Sequence, residues 1–378
     1  MYKQGFALRR FFLTVLSLVA VLLATVSWAN PPEGILDETH ASVRAVMAVQ
    51  DDVTPDLMDV EGILGTAVGL DDNSQLVMVV YVDKENITVG DVVRSIPAHF
   101  RGTRTKVELT EKFRAFRGRP GGGGGSGAKI SHTAKQAAPI QLGTSGGWRK
   151  DLANGYCCGG TLGSLIQVNG TNYILSNYHV FESDIVNGGN GTTATTGDYI
   201  IQPGLIDVNC SAANAQNVGT LVKLGSLPNS NVDCAVAQVI PGMVGTSGSI
   251  LEIGTLSAQT TGAFLNQAVK KSGRTTGLTR SRISGLNATI SVTYDNECAG
   301  GVAFTKTFTG QIVIANSGSS FLNSGDSGSL MVEDVTTNPR SVGLLYAGSS
   351  TSAIANPINE VLQFLGDRLG GTATMVGN

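Results

Sequence analysis

A chain of 378 residues can hold two domains and a sizeable core, and 49 glycines with 6% aromatic and 15% charged residues argue against long helices in favour of short strands and turns. A net charge of −3 gives no footprint for nucleic acid or for an anionic membrane surface, so both are excluded as partners. Five cysteines suit an oxidising compartment and, being odd in number, leave at least one unpaired within the chain.

Lys3, Arg9 and Arg10 precede an apolar run from Phe11 to Val26 that ends in Ser27-Trp28-Ala29. A basic start, an apolar middle and small residues before the break predict a secretory signal peptide over 1–29. The mature chain would begin at Asn30 and be secreted or periplasmic, with no membrane contact after signal removal. An uncleaved anchor is the alternative, because the run lies near the lower limit for a span.

Residues 30–116 differ in pattern from the rest. Helical spacing over Leu36–Val53 is followed by two strands, Ile63–Leu70 and Gln75–Val82, across the turn residues 71–74. Thr88 is a plausible cap for a helix over Val89–Ile96, and Lys106–Phe113 reads as a closing strand. This α-β-β-α-β order predicts a small α+β domain with its helices on one face of a sheet. His40 and His99 have no clustered ligands around them, so no metal site is expected. The Arg117-Gly118-Arg119-Pro120 tip and the glycine run 121–125 open a linker assigned to 117–137, which by its composition is expected to be a domain boundary and a site of nicking.

From 138 to 378, about ten short apolar runs alternate with Gly/Asn/Ser turns, which predicts an all-β barrel or sandwich. Among these runs are Gly160–Val168, Asn172–Val180 and Val232–Ile240. A terminal amphipathic helix follows over Pro357–Leu369, with Ile358, Val361, Leu362, Phe364 and Leu365 as its apolar face.

The stretch 323–332, Asn-Ser-Gly-Asp-Ser-Gly-Ser-Leu-Met-Val, puts Ser327 at a glycine-flanked turn entering an apolar strand. Such a turn can aim backbone N–H groups at one point, as acyl transfer to a serine requires. A serine nucleophile also needs a base, and of four histidines only His179 lies within the β region. The third group should be a carboxylate buried beside the imidazole. Asp233 opens the apolar run Val232–Ile240, where a carboxylate is costly without a partner, whereas Asp184, Asp198 and Asp207 sit in polar loops. The order His179, Asp233, Ser327 is that of the chymotrypsin-type β-barrel enzymes.

With these residues in place, the region from about Pro139 to Leu369 resembles a trypsin-like (chymotrypsin-fold) serine endopeptidase of the bacterial secreted kind. Ser176-Asn177-Tyr178-His179-Val180, Val232-Asp233-Cys234-Ala235-Val236 and Gly325-Asp326-Ser327-Gly328 resemble the family's histidine, aspartate and serine boxes. Cys158-Gly159-Gly160-Thr161-Leu162 resembles the strand before the histidine, and Lys271-Ser272-Gly273-Arg274-Thr275-Thr276-Gly277 a turn near the start of the second barrel.

The resemblance implies an all-β double β-barrel with the triad in the cleft, preceded by the small α+β domain, which would act as a pro- or accessory domain and contact the protease domain. It implies Ser327 as nucleophile, His179 as general base and acid, and Asp233 as orienting carboxylate. The N–H groups of Gly325 and Ser327 would form the oxyanion hole. Phe321, six before the serine, would stand at the base of the specificity pocket, and Gly348 on the strand that pairs with an extended polypeptide substrate. No cofactor is implied.

Three departures stand out. Val180 replaces a cysteine of many animal members, and Tyr346 stands where a serine usually supports the aspartate. No Ile-Val-Gly-Gly-like start follows the linker, so Asp326 needs a partner other than a new N-terminal amine. Two other readings of the β region are a catalytically degenerate protease-fold binding module and a serine esterase.

Overall fold

The computed structural model describes residues 34–115, 130–153, 156–182, 194–294 and 304–378. The expected signal peptide, residues 117–129 of the linker, Asp184 and Cys298 lie outside the described residues.

The N-terminal region runs α1 (Ala41–Met58), β1 (Ile63–Leu70), β2 (Leu76–Asp83), α2 (Val89–Ser95), β3 (His99–Phe100), β4 (Thr103–Thr110) and β5 (Phe113–Ala115). Helix α1 starts later than its apolar spacing suggests. Asp37 Oδ1 takes the N–H groups of Thr39 and His40 in a turn, and His40 Nδ1 then accepts from Ser42 N at the first helical turn. The expected α+β element order is present, with α2 crossing between the parallel strands β2 and β4.

The next region holds β6 (Thr144–Trp148), β7 (Leu152–Ala153), β8 (Tyr156–Cys157), β9 (Gly160–Leu162), β10 (Ser164–Val168), β11 (Thr171–Ser176), α3 (Tyr178–Phe181), β12 (Tyr199–Gln202), β13 (Gln216–Val222) and β14 (Ala235–Val239). After it come β15 (Ala268–Gly273), β16 (Gly277–Tyr294), β17 (Phe304–Ala315), β18 (Leu330–Glu333), β19 (Ser341–Gly348), β20 (Ser352–Pro357), α4 (Ile358–Leu369) and β21 (Ala373–Met375).

These strands make two barrel sheets. In the first, the order β21-β10-β11-β14-β13-β12-β6-β9 curves around a core that includes Trp148, Leu165, Ile174, Ile200 and Val236. In the second, β15-β18-β19-β20-β17-β16 returns to β15, a closed ring of six antiparallel strands. The fold is therefore mostly β and of the double-barrel class with a small α+β portion at its N-terminal end. Helix α4 buries Ile358, Val361 and Leu365 in the first barrel's core, and β21 then pairs with β10, so the chain's last segment ties the second barrel to the first.

The strands of the small α+β region share a sheet with the second barrel. Strand β1 runs antiparallel to β16, Gly65 opposite Ile290 and Gly69 opposite Gly285, so β1-β2-β4-β3 prolongs the second barrel's sheet. The physical reason lies in burial. Ile63–Gly69 and Val77–Asp83 are buried without the alternation of a half-exposed strand, so both β1 and β2 need neighbours on each edge and cover on each face. Pro31–Asn378 accordingly form one compact unit.

Cys157 and Cys210 form a disulfide, Cys158 is also disulfide-bonded, and Cys234 is a buried free thiol. Among the described residues no helix is long and apolar enough to cross a membrane.

Candidate active site

The run Asn172–Val180 was expected to carry His179 on a strand. The strand instead ends at Ser176, and His179 stands on the single turn α3. The N–H groups of Val180 and Phe181 bond back to Asn177 O, which bends the chain out of the sheet. Tyr178 N is held by the Asp233 carboxylate, Oδ1, at 2.8 Å, and Asn177 Nδ2 donates to Asp233 O at 2.7 Å. A strand conformation would have pulled these donors away from Asp233.

Asp233 likewise precedes its strand, since β14 begins at Ala235. It is fully buried, as a carboxylate can be only when its lone pairs are filled. Its Oδ2 accepts from His179 Nδ1 at 2.6 Å and from the Tyr294 hydroxyl at 2.9 Å, and its backbone N–H donates to Asn356 Oδ1 at 2.9 Å. His179 Nδ1 thus carries a proton toward the carboxylate, and Nε2, also buried, has no hydrogen-bond partner among the described residues.

Ser327 lies between Gly325 (φ +95°) and Gly328 (φ +91°), both in the left-handed region that favours glycine. A Cβ at Gly328 would sit 2.3 Å from Ser176 Oγ and 2.4 Å from Thr161 O, so the turn also packs too closely for any side chain. Through that packing the serine turn touches the strand that leads to His179. The Ser327 carbonyl accepts from Thr161 N at 2.9 Å, and the Gly325 carbonyl from Thr161 Oγ1 at 3.0 Å. Both carbonyls therefore point toward β9, while the N–H groups of Gly325 and Ser327 make no hydrogen bond among the described residues. The Ser327 hydroxyl donates to Tyr346 O at 3.3 Å.

The partner that Asp326 needed is Lys271. Both side chains are fully buried, with Nζ 3.2 Å from Oδ2. Asp326 also accepts from Thr275 N (2.8 Å), Thr276 N (3.1 Å), Thr276 Oγ1 (2.7 Å) and Asn323 N (3.0 Å). Lys271 donates further to Gly277 O and to Thr276 Oγ1. Burial lowers the Lys271 ammonium below its ordinary range, and Asp326 opposes that effect. The turn preceding Ser327 is thereby anchored from within the chain.

The competing carboxylates are engaged elsewhere. Asp198 takes Trp148 Nε1, Thr195 N and Lys150, and Asp207 holds Arg274 through two bonds and Ser145 through a third. Phe321 is packed in the apolar core with Met331, Val342 and Leu345. Gly348 is paired: Arg114 of β5 lies opposite it, antiparallel, and Ala115 opposite Ala347.

Reasoning from sequence missed Lys271 as the partner of Asp326, Tyr294 as a second donor to Asp233, and β5 on the edge of β19. The first had a signal, two adjacent lysines inside a strand otherwise made of apolar and small residues. The other two join positions 61 and 232 residues or more apart, for which one sequence carries no pattern.

Glu182, which caps α3, is a further buried carboxyl. Burial raises its pKa to about 7, with Asp233 adding to the effect and the N–H groups of Leu224 and Gly225 and the Lys223 ammonium opposing it. Between its ordinary 4.5 and about 7 the folded chain keeps this proton and the unfolded chain has lost it. Stability should therefore fall as pH rises through that window, by on the order of 3 kcal/mol, and level off above it. Urea unfolding of wild type and Glu182→Gln across pH 4–8 checks this. The difference between them should carry the slope, and identical pH dependences would refute it.

Comparison with known proteins gives three findings. The Nal1 C-terminal domain family matches residues 217–356, a stretch that includes Asp233 and Ser327 and leaves His179 outside. No curated protein matches the chain. Among solved structures the chain is similar to a glutamic acid-specific serine protease that uses a histidine triad in substrate binding, with TM-score 0.41 and 16% identity over 62% of this chain and 100% of that one. It is also similar to protease A of Thermobifida fusca (0.40, 17%, 63% and 99%) and to a chymotrypsin of Cellulomonas bogoriensis (0.38, 20%, 63% and 99%).

Proposed function

We propose that the protein is a secreted serine endopeptidase whose acyl transfer runs through Ser327, His179 and Asp233. One observation carries the reading: a buried imidazole has its Nδ1 proton on a buried carboxylate at 2.6 Å and its Nε2 without a partner among the described residues, and a serine stands on a glycine-flanked turn packed against Ser176, at the end of the strand that leads to it. In the reaction the Ser327 side chain rotates from Tyr346 O toward His179. Its oxygen attacks the scissile carbonyl as Nε2 takes the hydroxyl proton. The oxyanion gathers the N–H groups of Gly325 and Ser327, and Nε2 then passes its proton to the leaving amine. Water repeats the sequence on the acyl-enzyme and restores the serine. Asp233 keeps the proton on Nδ1 throughout, so that Nε2 is the basic nitrogen. No step in this sequence calls for a cofactor.

The substrate would be a polypeptide, extended along β19 with Gly348 as its backbone partner. In this chain β5 has that position, so the N-terminal region acts as a built-in competitor for the substrate edge, in keeping with a pro- or accessory role. The orientation of the Ser327 hydroxyl, toward Tyr346 O, favours a second reading as a catalytically silent binding module. A serine esterase would use the same groups on an ester.

Fluorophosphonate labelling tests these readings together. Arg114→Pro removes one backbone N–H from β5 and so loosens β5. We expect the full chain to label slowly at Ser327 and the Arg114→Pro variant at least tenfold faster. No labelling of either form would leave the binding module standing. Equal rates would remove the self-blocking role of β5, and turnover of esters without any peptide cleavage would favour the esterase.

A further inference from the structure

Tyr294 is the last residue of β16, and its hydroxyl reaches the oxygen of Asp233 that also accepts from His179. The other carboxylate oxygen is held by Tyr178 N. The carboxylate is thus pinned at both ends, Oδ1 by the main chain and Oδ2 by one phenol. With Oδ1 alone held, the group could pivot about that contact, and its bond to His179 would lose direction. Tyr346, on the strand that faces this site, offers no substitute, since its hydroxyl has no hydrogen-bond partner among the described residues.

The ring of Tyr294 is fixed in turn. It stacks on Phe304 with centroids 4.8 Å apart and meets the His179 ring edge-on at 5.9 Å. Its strand is braced from outside the barrel. Gly65 and Thr66 of β1 pair with Ile290 and Thr289, and Phe113 of β5 lies parallel beside Val292. Residues of the N-terminal region therefore hold the strand that carries the phenol.

We propose that Tyr294 is the positioning residue that orients Asp233 toward His179. The inference rests on the endopeptidase reading for its meaning in turnover, and on geometry alone for the orientation of the Asp233–His179 pair. A hydroxyl donating to Oδ2 shares that oxygen's charge with the imidazole. Without it the carboxylate favours the protonated imidazole more strongly. The other titratable groups facing this cluster are Glu182 and the Cys234 thiol, whose fields reach Asp233, and Tyr346; Lys306 lies farther out, over the Phe308 ring.

The test is Tyr294→Phe in the full chain. We expect kcat to fall about tenfold with KM within about twofold, the loss of one hydrogen bond to a charged group. The acidic limb of kcat/KM should move to higher pH. Replacing Tyr294 by 3-fluorotyrosine keeps the ring and makes the phenol a stronger donor, so the limb should move the opposite way. Phe304→Leu removes the stack but leaves the hydroxyl, and should keep the wild-type limb.

The Nδ1 proton of His179, bonded to a carboxylate, gives an NMR resonance that needs no turnover. It should shift in Tyr294→Phe and in the fluorotyrosine protein, and stay in place in Phe304→Leu. An unmoved resonance in both Tyr294 proteins overturns the proposal, as does a pH limb that ignores both. If wild type neither hydrolyses peptides nor labels, the endopeptidase reading fails, and the resonance still decides the positioning role.

Discussion

Ser327→Ala should lower turnover about 10⁴-fold or more while leaving the fold intact. Among the described residues the hydroxyl makes one hydrogen bond, to Tyr346 O at 3.3 Å, and the turn is held by contacts that do not involve it. These are the glycine conformations at 325 and 328, the bonds from Thr161, and the Asp326 cluster. Removing a single oxygen thus costs little packing, and its consequence falls on the chemistry. Residual rate would come from the N–H groups of Gly325 and Ser327, which the substitution retains. The check is peptide hydrolysis in a preparation tested for contaminating protease, beside a melting curve. Near wild-type hydrolysis in the variant would remove Ser327 as nucleophile.

The second large effect is expected at Lys271. Replacement by methionine keeps the stem's volume and removes the charge, leaving Asp326 buried without its cation. Breaking a buried pair from one side costs about 3–5 kcal/mol, because the remaining charge has lost its compensation. Four donors from Thr275, Thr276 and Asn323 remain on Asp326, which places this case at the lower end. Asp326 lies directly before Ser327, so its displacement should also disturb the N–H groups of Gly325 and Ser327 proposed to receive the oxyanion and lower kcat at least tenfold. Lys271→Met with Asp326→Asn removes both charges and should recover a good part of the stability. Chemical denaturation of the two single variants and the double variant measures the coupling. Additive losses would show that the pair does not anchor the turn.

Several parts of this molecule were legible in one dimension because the information is local. Gly325 and Gly328 announce a tight turn at Ser327, and the alternation of short apolar runs with turn residues announces the β class. His179 stood out by elimination and Asp233 because a carboxylate at the head of an apolar run needs a partner. The structure brings those two within 2.6 Å, each just off the strand to which its apolar neighbours had assigned it. That local error has a tertiary cause. Asp233 recruits Tyr178 N and Asn177 Nδ2, and the backbone leaves the sheet to supply them.

The glycine run marks a change in composition and carries no information on how the region before it pairs. Whether β1 ends a small sheet or continues a large one depends on which edge is buried against it, and the unalternating burial of Ile63–Gly69 and Val77–Asp83 is decided by pairing with β16. The partners of Asp326 and Asp233, Lys271 and Tyr294, were likewise set by barrel closure, which brings together residues 55 and 61 positions apart. The residue types proposed to do chemistry and the turns that present them were therefore determined by the sequence itself. Only the tertiary structure decided which groups hold the carboxylates and which strand lies on β19, because those contacts form when distant edges meet and buried charges take the nearest donors.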